Sequence, residues 1–364
     1  MNTSEIAFER RPHANLVPAN ERAEQLANPG FGRVFTDHMV TIRYKEGVGW
    51  HEAAVQPRVA LTLDPATAVL HYAQEIFEGM KAYRTPEGGA ALFRPFANAE
   101  RFARSADRMA MAPLPERLFV EAVRQLVKAD RDWIPDGPDG SLYLRPFMIA
   151  SEVFLGVRPS QEYLFAVIAS AVGSYFKGSG NGTVTVWVSD DYCRAGPGGT
   201  GAAKCGGNYA ASLKAQAEAQ AMGCDQVVFL DAAERRYVEE LGGMNVFFVM
   251  DDDSLVTPPL GDILPGITRE SVMVLARDMG LGVREEPYAI EAWRADAASG
   301  RLTEAFACGT AAVITPIGRL RSKAGDVTIG DGAPGRLSMR LRDALIGIQR
   351  GRTSDPYGWM EKVF

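Results

Sequence analysis

The sequence predicts a two-domain protein of mixed α and β structure, on three observations. The chain has 364 residues, more than one ordinary core accommodates. Its first half alternates short apolar runs with segments of helical periodicity. The stretch from Gly173 to Gly182 then packs four glycines and two serines into ten residues, the composition of a flexible linker. A small N-terminal α/β domain is therefore expected at 1–173, a linker at 174–182 and a larger C-terminal domain at 183–364.

The elements follow in order. Thr36–Tyr44 reads as a strand, and Ala90–Phe93 is an apolar run that ends at Arg94 and Pro95. Asn98 is placed to cap a helix carrying Phe102, Ala106 and Met109 at helical spacing. Pro115 opens a second helix, whose Leu118, Phe119, Ala122, Val123, Leu126 and Val127 form one face. Leu142–Ser151 and Leu164–Val172 read as strands, and Thr183–Val188 begins the second domain. An alanine-rich helix is expected over about Asn208–Met222, stopped by Gly223. Strands follow at Gln226–Asp231 and Asn245–Met250. Leu264-Pro265-Gly266 precedes a helix with Val272, Leu275, Ala276 and Met279 on one side, ended by Gly280. A final helix near Arg336–Gln349 buries Leu337, Leu341, Leu345 and Ile348.

Composition excludes several function classes. Hydrophobic residues are 46% and charged residues 23%, ordinary values for a globular protein. The net charge of −6 argues against nonspecific nucleic-acid binding. Met1–Asn20 lacks an apolar signal core, and Leu164–Val172 is about half a bilayer span; a cytoplasmic protein without a membrane anchor is expected. The four cysteines show no CxxC spacing and the four histidines lie far upstream of them, so neither a metal site nor a disulfide framework is expected.

The most informative segment is Gly198-Gly199-Thr200-Gly201-Ala202-Ala203-Lys204-Cys205-Gly206-Gly207-Asn208-Tyr209. Glycine and alanine clear side-chain bulk from around one lysine, so backbone and ligand can approach it closely. That surrounding suits an amine that bonds covalently to a flat cofactor. A phosphate loop would need Gly-Lys followed by Ser or Thr, whereas Lys204 stands between Ala203 and Cys205. If the cofactor is pyridoxal phosphate, its ring nitrogen needs a carboxylate and its phosphate needs an arginine and a helix N-terminus. Glu240, entering the turn Gly242-Gly243, is a candidate acid. Gly266-Ile267-Thr268 opens a helix, and Gly309-Thr310 adds a hydroxyl in a small-residue turn.

Seven ordered blocks make the chain resemble the branched-chain amino acid aminotransferases, enzymes of pyridoxal-phosphate fold type IV. They are Phe35–Met39, Phe77–Ala82, Leu142–Pro146, the Lys204 block, Glu240–Asn245, Leu264–Arg269 and Phe306–Ala312. The wording of the Gly207-Asn208-Tyr209 and Ala307–Ile314 stretches is most similar to the bacterial, actinobacterial-type branch. The resemblance implies that Lys204 carries pyridoxal 5'-phosphate covalently and moves the substrate Cα proton, that Glu240 contacts the pyridine nitrogen and that Tyr209 bonds the ring hydroxyl. It implies a phosphate site of Arg94, Thr310 and the backbone of Ile267 and Thr268. Arg194 matches a family arginine whose role it does not fix.

The implied substrate pocket has walls of Phe31, Phe77, Tyr143, Tyr175 and Met244. Ala311 and Ala312 would meet the α-carboxylate through their backbone N–H groups. Tyr143 and Arg145, alternate positions on one strand face, would take the distal carboxylate of glutamate. The expected assembly is a homodimer in which Tyr72 and the loop Leu155–Val157 close the neighbouring pocket, with the cofactor between the two domains. The reaction implied is exchange of the amino group between L-leucine, L-isoleucine or L-valine and 2-oxoglutarate. A D-amino acid aminotransferase or aminodeoxychorismate lyase of the same fold is the alternative. The chain departs from the family in two respects: Gly243 replaces a frequent threonine, and Ala312 and Thr315 stand where mammalian relatives carry a CxxC pair.

Overall fold

The computed structural model describes residues 6–137, 139–173 and 182–364. Tyr175 and the expected linker, Gly182 excepted, lie outside the described residues. Contacts divide the chain into unit 1 (Met1–Tyr175, Ala203–Gly206, Ile348–Phe364) and unit 2 (Phe176–Ala202, Gly207–Gly347). Two pieces are therefore grouped differently from a division at 173 and 183. Ala203–Gly206 joins unit 1 because its backbone is bonded there, and the C-terminal strand Met360–Lys362 pairs with Ala90–Phe93.

Among the described residues unit 1 holds a ten-stranded sheet. Its main path runs Glu9–Arg10, Gly49–Pro57, His38–Lys45, Glu162–Val172, Ser141–Ala150, Met80–Arg84, Ala90–Phe93 and Met360–Lys362. All neighbours are antiparallel except the first pair. The strand Ser141–Ala150 shows the period-two logic plainly: Leu142, Leu144, Met148 and Ala150 are buried, while Tyr143, Arg145 and Phe147 present the other face. Helices Pro95–Arg108 and Glu116–Ala129 supply the apolar cover. The Phe102, Phe119 and Phe165 rings meet at centroid separations of 5.2, 5.6 and 5.9 Å.

The first of these helices starts earlier than Asn98, the expected cap. Arg94 is the N-cap, in left-handed conformation (φ 47°), and Pro95 occupies the first turn, where a missing N–H costs nothing. Asn98 is instead buried inside the helix, its side-chain amide donating to the Arg94 carbonyl at 3.0 Å. Arg101, one turn further, forms two 2.7 Å bonds to the buried Glu78 carboxylate. The alanine-rich helix likewise begins at Gly206 rather than Asn208.

Unit 2 holds a nine-stranded sheet among the described residues. Its centre is parallel, with Val184–Ser189 between Gln226–Leu230 and Val313–Arg321. Beyond Val313–Arg321 lie the antiparallel strands Leu302–Gly309 and Asn245–Met250. Phe248 packs on Trp293 (4.7 Å) and Tyr288 (4.3 Å) in its core. Six strands of this sheet are absent from the sequence reading: Val238–Leu241, Leu255–Thr257, Val283–Glu285, Leu302–Gly309, Val313–Arg321 and Val327–Thr328. Glu240 therefore sits within a strand, not in the turn that follows it. No helix among the described residues is long and apolar enough to cross a membrane, and none of their His, Cys, Asp or Glu groupings could hold a metal ion.

Two outcomes are expected. Removing one partner of a buried ion pair strands the other charge, so Arg101→Met should lower unfolding free energy by about 3–5 kcal/mol. Urea titration measures it, and a loss below about 1 kcal/mol would refute the role given to the pair. The second concerns His38, whose ring lies 2.7 Å from buried Asp130. The Asp130 hydrogen bond holds the imidazole pKa above its ordinary value of 6.5. Its contribution should be complete below about pH 6.5 and disappear as pH rises through the raised value. The melting-temperature difference between wild type and His38→Asn, followed from about pH 5.5 to 9, should accordingly shrink on the alkaline side.

Candidate active site

The candidate residues fall in both units, and each group is held by its own bonds. In unit 1 the Lys204 segment is fastened at three points. The Lys204 N–H donates to Ser105 Oγ at 3.0 Å, and its carbonyl accepts from Phe77 N at 2.9 Å. The Gly206 N–H donates to the Glu75 carboxylate. Burial raises the Glu75 pKa above the usual carboxylate value, against the opposing pull of that N–H and of Arg145. Main-chain bonds thus fix where the lysine starts, and only its own side-chain torsions remain to be set. Lys204 Nζ lies 4.9 Å from the Phe77 ring centre, and the Arg145 guanidinium carbon lies 4.8 Å from the same ring. Both nitrogen-bearing groups thus lie within reach of the quadrupole of one aromatic ring.

Arg145 is oriented closely. Its Nε donates to the Glu78 carbonyl at 2.9 Å and one terminal nitrogen donates to Tyr143 Oη at 3.3 Å. Phe31 meets Tyr143 edge-on at 5.1 Å. Phe31, Phe77, Tyr143, Arg145 and Lys204 are therefore brought together. Arg94 stands at the head of the helix that bears Ser105, its guanidinium 5.4 Å from the Trp359 ring and its N–H bonded to the Trp359 carbonyl at 2.7 Å. A non-glycine residue in the left-handed region costs of order 1–3 kcal/mol and persists where its surroundings dictate it. Tyr72 stands apart, its hydroxyl bonded to the Leu155 carbonyl and its ring stacked at 6.3 Å on Phe154. Leu155 and Val157 beside it are strongly exposed, at 67% and 89%.

In unit 2 the second group is tied through Glu240. Its carboxylate oxygen Oε1 takes Arg194 at 2.8 Å and the Leu264 N–H at 3.2 Å. Both side chains are almost wholly buried. The neighbouring Glu239 carboxyl is pushed up to about 7, by burial first and then by the charges of Glu240, Asp262 and Asp231. Asn245 donates to the Leu264 carbonyl at 3.0 Å, and a Cβ on Gly266 would collide with its side-chain oxygen. This fixes the approach to the helix Ile267–Asp278, whose first residues, Ile267 and Thr268, lie at the end that favours anions.

Asn245 pairs with Cys308, and Gly309 with Val313, so Thr310, Ala311 and Ala312 form the tip of a hairpin next to Met244. A side chain on Gly309 would press on Met244 Cγ at 3.3 Å. Val313 closes that hairpin with φ 63°, a rare and strained conformation for a β-branched residue. Tyr209 lies one turn into its helix, against Gly243, where an added Cβ would stand 3.3 Å from the ring. Sequence reasoning missed Glu75, Ser105, Glu78, Arg101 and Asn245. Glu78 and Asn245 stood inside recognised blocks, but their partners are distant in sequence and carried no signal. Arg194 now has a definite contact, Glu240.

The family described as amino-transferase class IV matches residues 75–320 of the chain. A branched-chain-amino-acid aminotransferase of Mycolicibacterium smegmatis, an actinobacterial relative, is 54% identical over the whole of both chains. Among solved structures, the branched-chain amino acid aminotransferase of Escherichia coli is 28% identical with a TM-score of 0.71, covering 89% of this chain and 99% of that one. Another solved branched-chain amino acid aminotransferase, from Thermoproteus uzoniensis with norvaline, gives 27% and 0.73, covering 90% and 100%. Enzymes of this class depend on pyridoxal phosphate, and their fold is type IV; one solved relative, 29% identical, holds pyridoxamine 5'-phosphate. On this similarity, which runs from end to end, the chain belongs to the class IV aminotransferases and, within them, to the branched-chain-amino-acid aminotransferases.

Proposed function

We propose that this protein exchanges the amino group of L-leucine, L-isoleucine or L-valine with 2-oxoglutarate, giving the branched-chain 2-oxo acid and L-glutamate, with pyridoxal 5'-phosphate held by Lys204. The carrying observation is the three-point fastening of the Lys204 main chain, which gives one amine a fixed origin beside an aromatic wall. The chemistry of the remaining residues fits that cofactor. Glu240, buried and ion-paired with Arg194, is the acid suited to a pyridine nitrogen. Arg94, Thr310 and the first turn of Ile267–Asp278 suit a phosphate. Tyr209 suits the ring hydroxyl. When bound, the group supplies an electron sink for the carbanion formed at the substrate Cα.

The chain's own residues then divide the work. Lys204 Nζ would accept the Cα proton of the incoming amino acid and hold it for return. Phe31, Phe77, Met244 and, outside the described residues, Tyr175 receive the aliphatic side chain, which leaves no polar group unpaired. Ala311 and Ala312 hold the α-carboxylate from the hairpin tip. Tyr143 and Arg145 offer a hydroxyl and a guanidinium to the second carboxylate of 2-oxoglutarate. The exposed Leu155 and Val157 beside Tyr72 supply the face that a second copy of the chain covers in a homodimer. Free thiols at all four cysteines suit a cytoplasmic setting.

The absorption spectrum of the purified protein should change from the pyridoxal to the pyridoxamine form on adding L-leucine. It should stay unchanged with D-alanine, which separates this reading from a D-amino acid aminotransferase. Lys204→Ala should lower turnover by at least about 10²- to 10⁴-fold. Normal turnover in that variant would end the assignment.

A further inference from the structure

We infer that Gly79 determines acceptance of the dicarboxylic substrate, because its missing side chain is what seats the Tyr143 hydroxyl beside Arg145. The inference rests on the reading of Tyr143 and Arg145 as ligands of the distal carboxylate.

Most of the described glycines occupy left-handed turns or open space. Gly79 does neither. It is not among the positive-φ residues, so its backbone would accept alanine. Space forbids it: a Cβ there would overlap Tyr143 Oη and come within 3.0 Å of Cζ. The backbone cannot retreat to make room. Glu78 is fixed by its two bonds to Arg101, by its N–H to the Pro146 carbonyl at 2.7 Å and by its own carbonyl, which receives Arg145 Nε. On either side, Phe77 and Met80 are in register with Phe147 and Leu144 of the strand that carries Tyr143. The end of the tyrosine ring is thus the part that must yield. Its contact with Arg145 is 3.3 Å, close to the outer limit of a hydrogen bond, and does not survive displacement of the hydroxyl.

The consequence differs between the two substrates. A branched aliphatic side chain asks nothing of that hydroxyl. A carboxylate needs both donors aligned, and a hydrogen bond to a charged group that is lost to misalignment weakens binding by roughly 10- to 100-fold. Gly79 is a positioning residue and touches no reacting atom.

The test compares wild type, Gly79→Ala, Tyr143→Phe, Gly79→Ala with Tyr143→Phe, and Arg145→Met, in the cofactor-loaded enzyme. The two half-reactions are measured separately with L-leucine and with 2-oxoglutarate, and calorimetry gives Kd for glutarate and for 4-methylpentanoate. Gly79→Ala should raise KM for 2-oxoglutarate and Kd for glutarate roughly 10- to 100-fold. The L-leucine half-reaction and 4-methylpentanoate binding should change less than about threefold. On the Tyr143→Phe background the alanine should add little, since the overlapping oxygen is gone. Equal effects on both substrates, no effect on either, or failure of the double variant to fold would each overturn the inference. If Arg145→Met leaves 2-oxoglutarate and glutarate unaffected, the reading of the carboxylate site fails, and the inference with it.

Discussion

The Glu78 carboxylate and the Arg101 guanidinium meet through two 2.7 Å bonds in the interior of unit 1, each side chain at most 5% exposed. Either charge alone would cost several kcal/mol to bury, so the two persist there only together and only in this fork geometry. The pair locks a strand-connecting turn to the helix Pro95–Arg108. Three candidate residues take their position from that lock. Arg145 hangs from the Glu78 carbonyl, Lys204 from Ser105 one turn beyond Arg101, and Arg94 caps the same helix.

Unit 2 solves a similar problem with Arg194 and Glu240. A buried carboxylate needs an opposite charge beside it, and the Arg194 guanidinium supplies that at 2.8 Å. The same oxygen also receives the Leu264 N–H, which joins the acid to the turn preceding the anion-favouring helix. Arg194 also donates to the Gly201 carbonyl at 3.3 Å, which ties the acid to the glycine-rich segment. Arg94 and Val313, both left-handed, carry backbone strain. Both lie beside residues that the proposed chemistry uses.

Periodicity makes the helices legible. The final helix is found at Arg336–Gln349 with Leu337, Leu341, Leu345 and Ile348 inside, because a 3.6-residue repeat needs no distant information. Asn98 misleads because proline at the first turn outweighs a polar cap three residues on. The strand Val238–Leu241 is hidden since adjacent carboxylates break the apolar alternation by which strands are recognised. Leu302–Gly309 and Val313–Arg321 escape notice for a related reason: their alanines, glycines and prolines carry weak strand preference.

By itself the sequence singled out a lysine cleared of neighbouring bulk, an acid before a glycine turn and a helix-opening Pro-Gly, and its seven ordered blocks carried the resemblance to one enzyme family. Local composition marks the lysine, since a small residue leaves space wherever it is placed. Tertiary structure alone decided which groups hold those residues still. Ser105 beneath Lys204, Glu75 at Gly206, Arg101 on Glu78 and Arg194 on Glu240 are partners far apart along the chain. Their meeting depends on strand register and helix placement, because a buried polar group must find its complement in space, and no spacing rule in the sequence encodes that meeting.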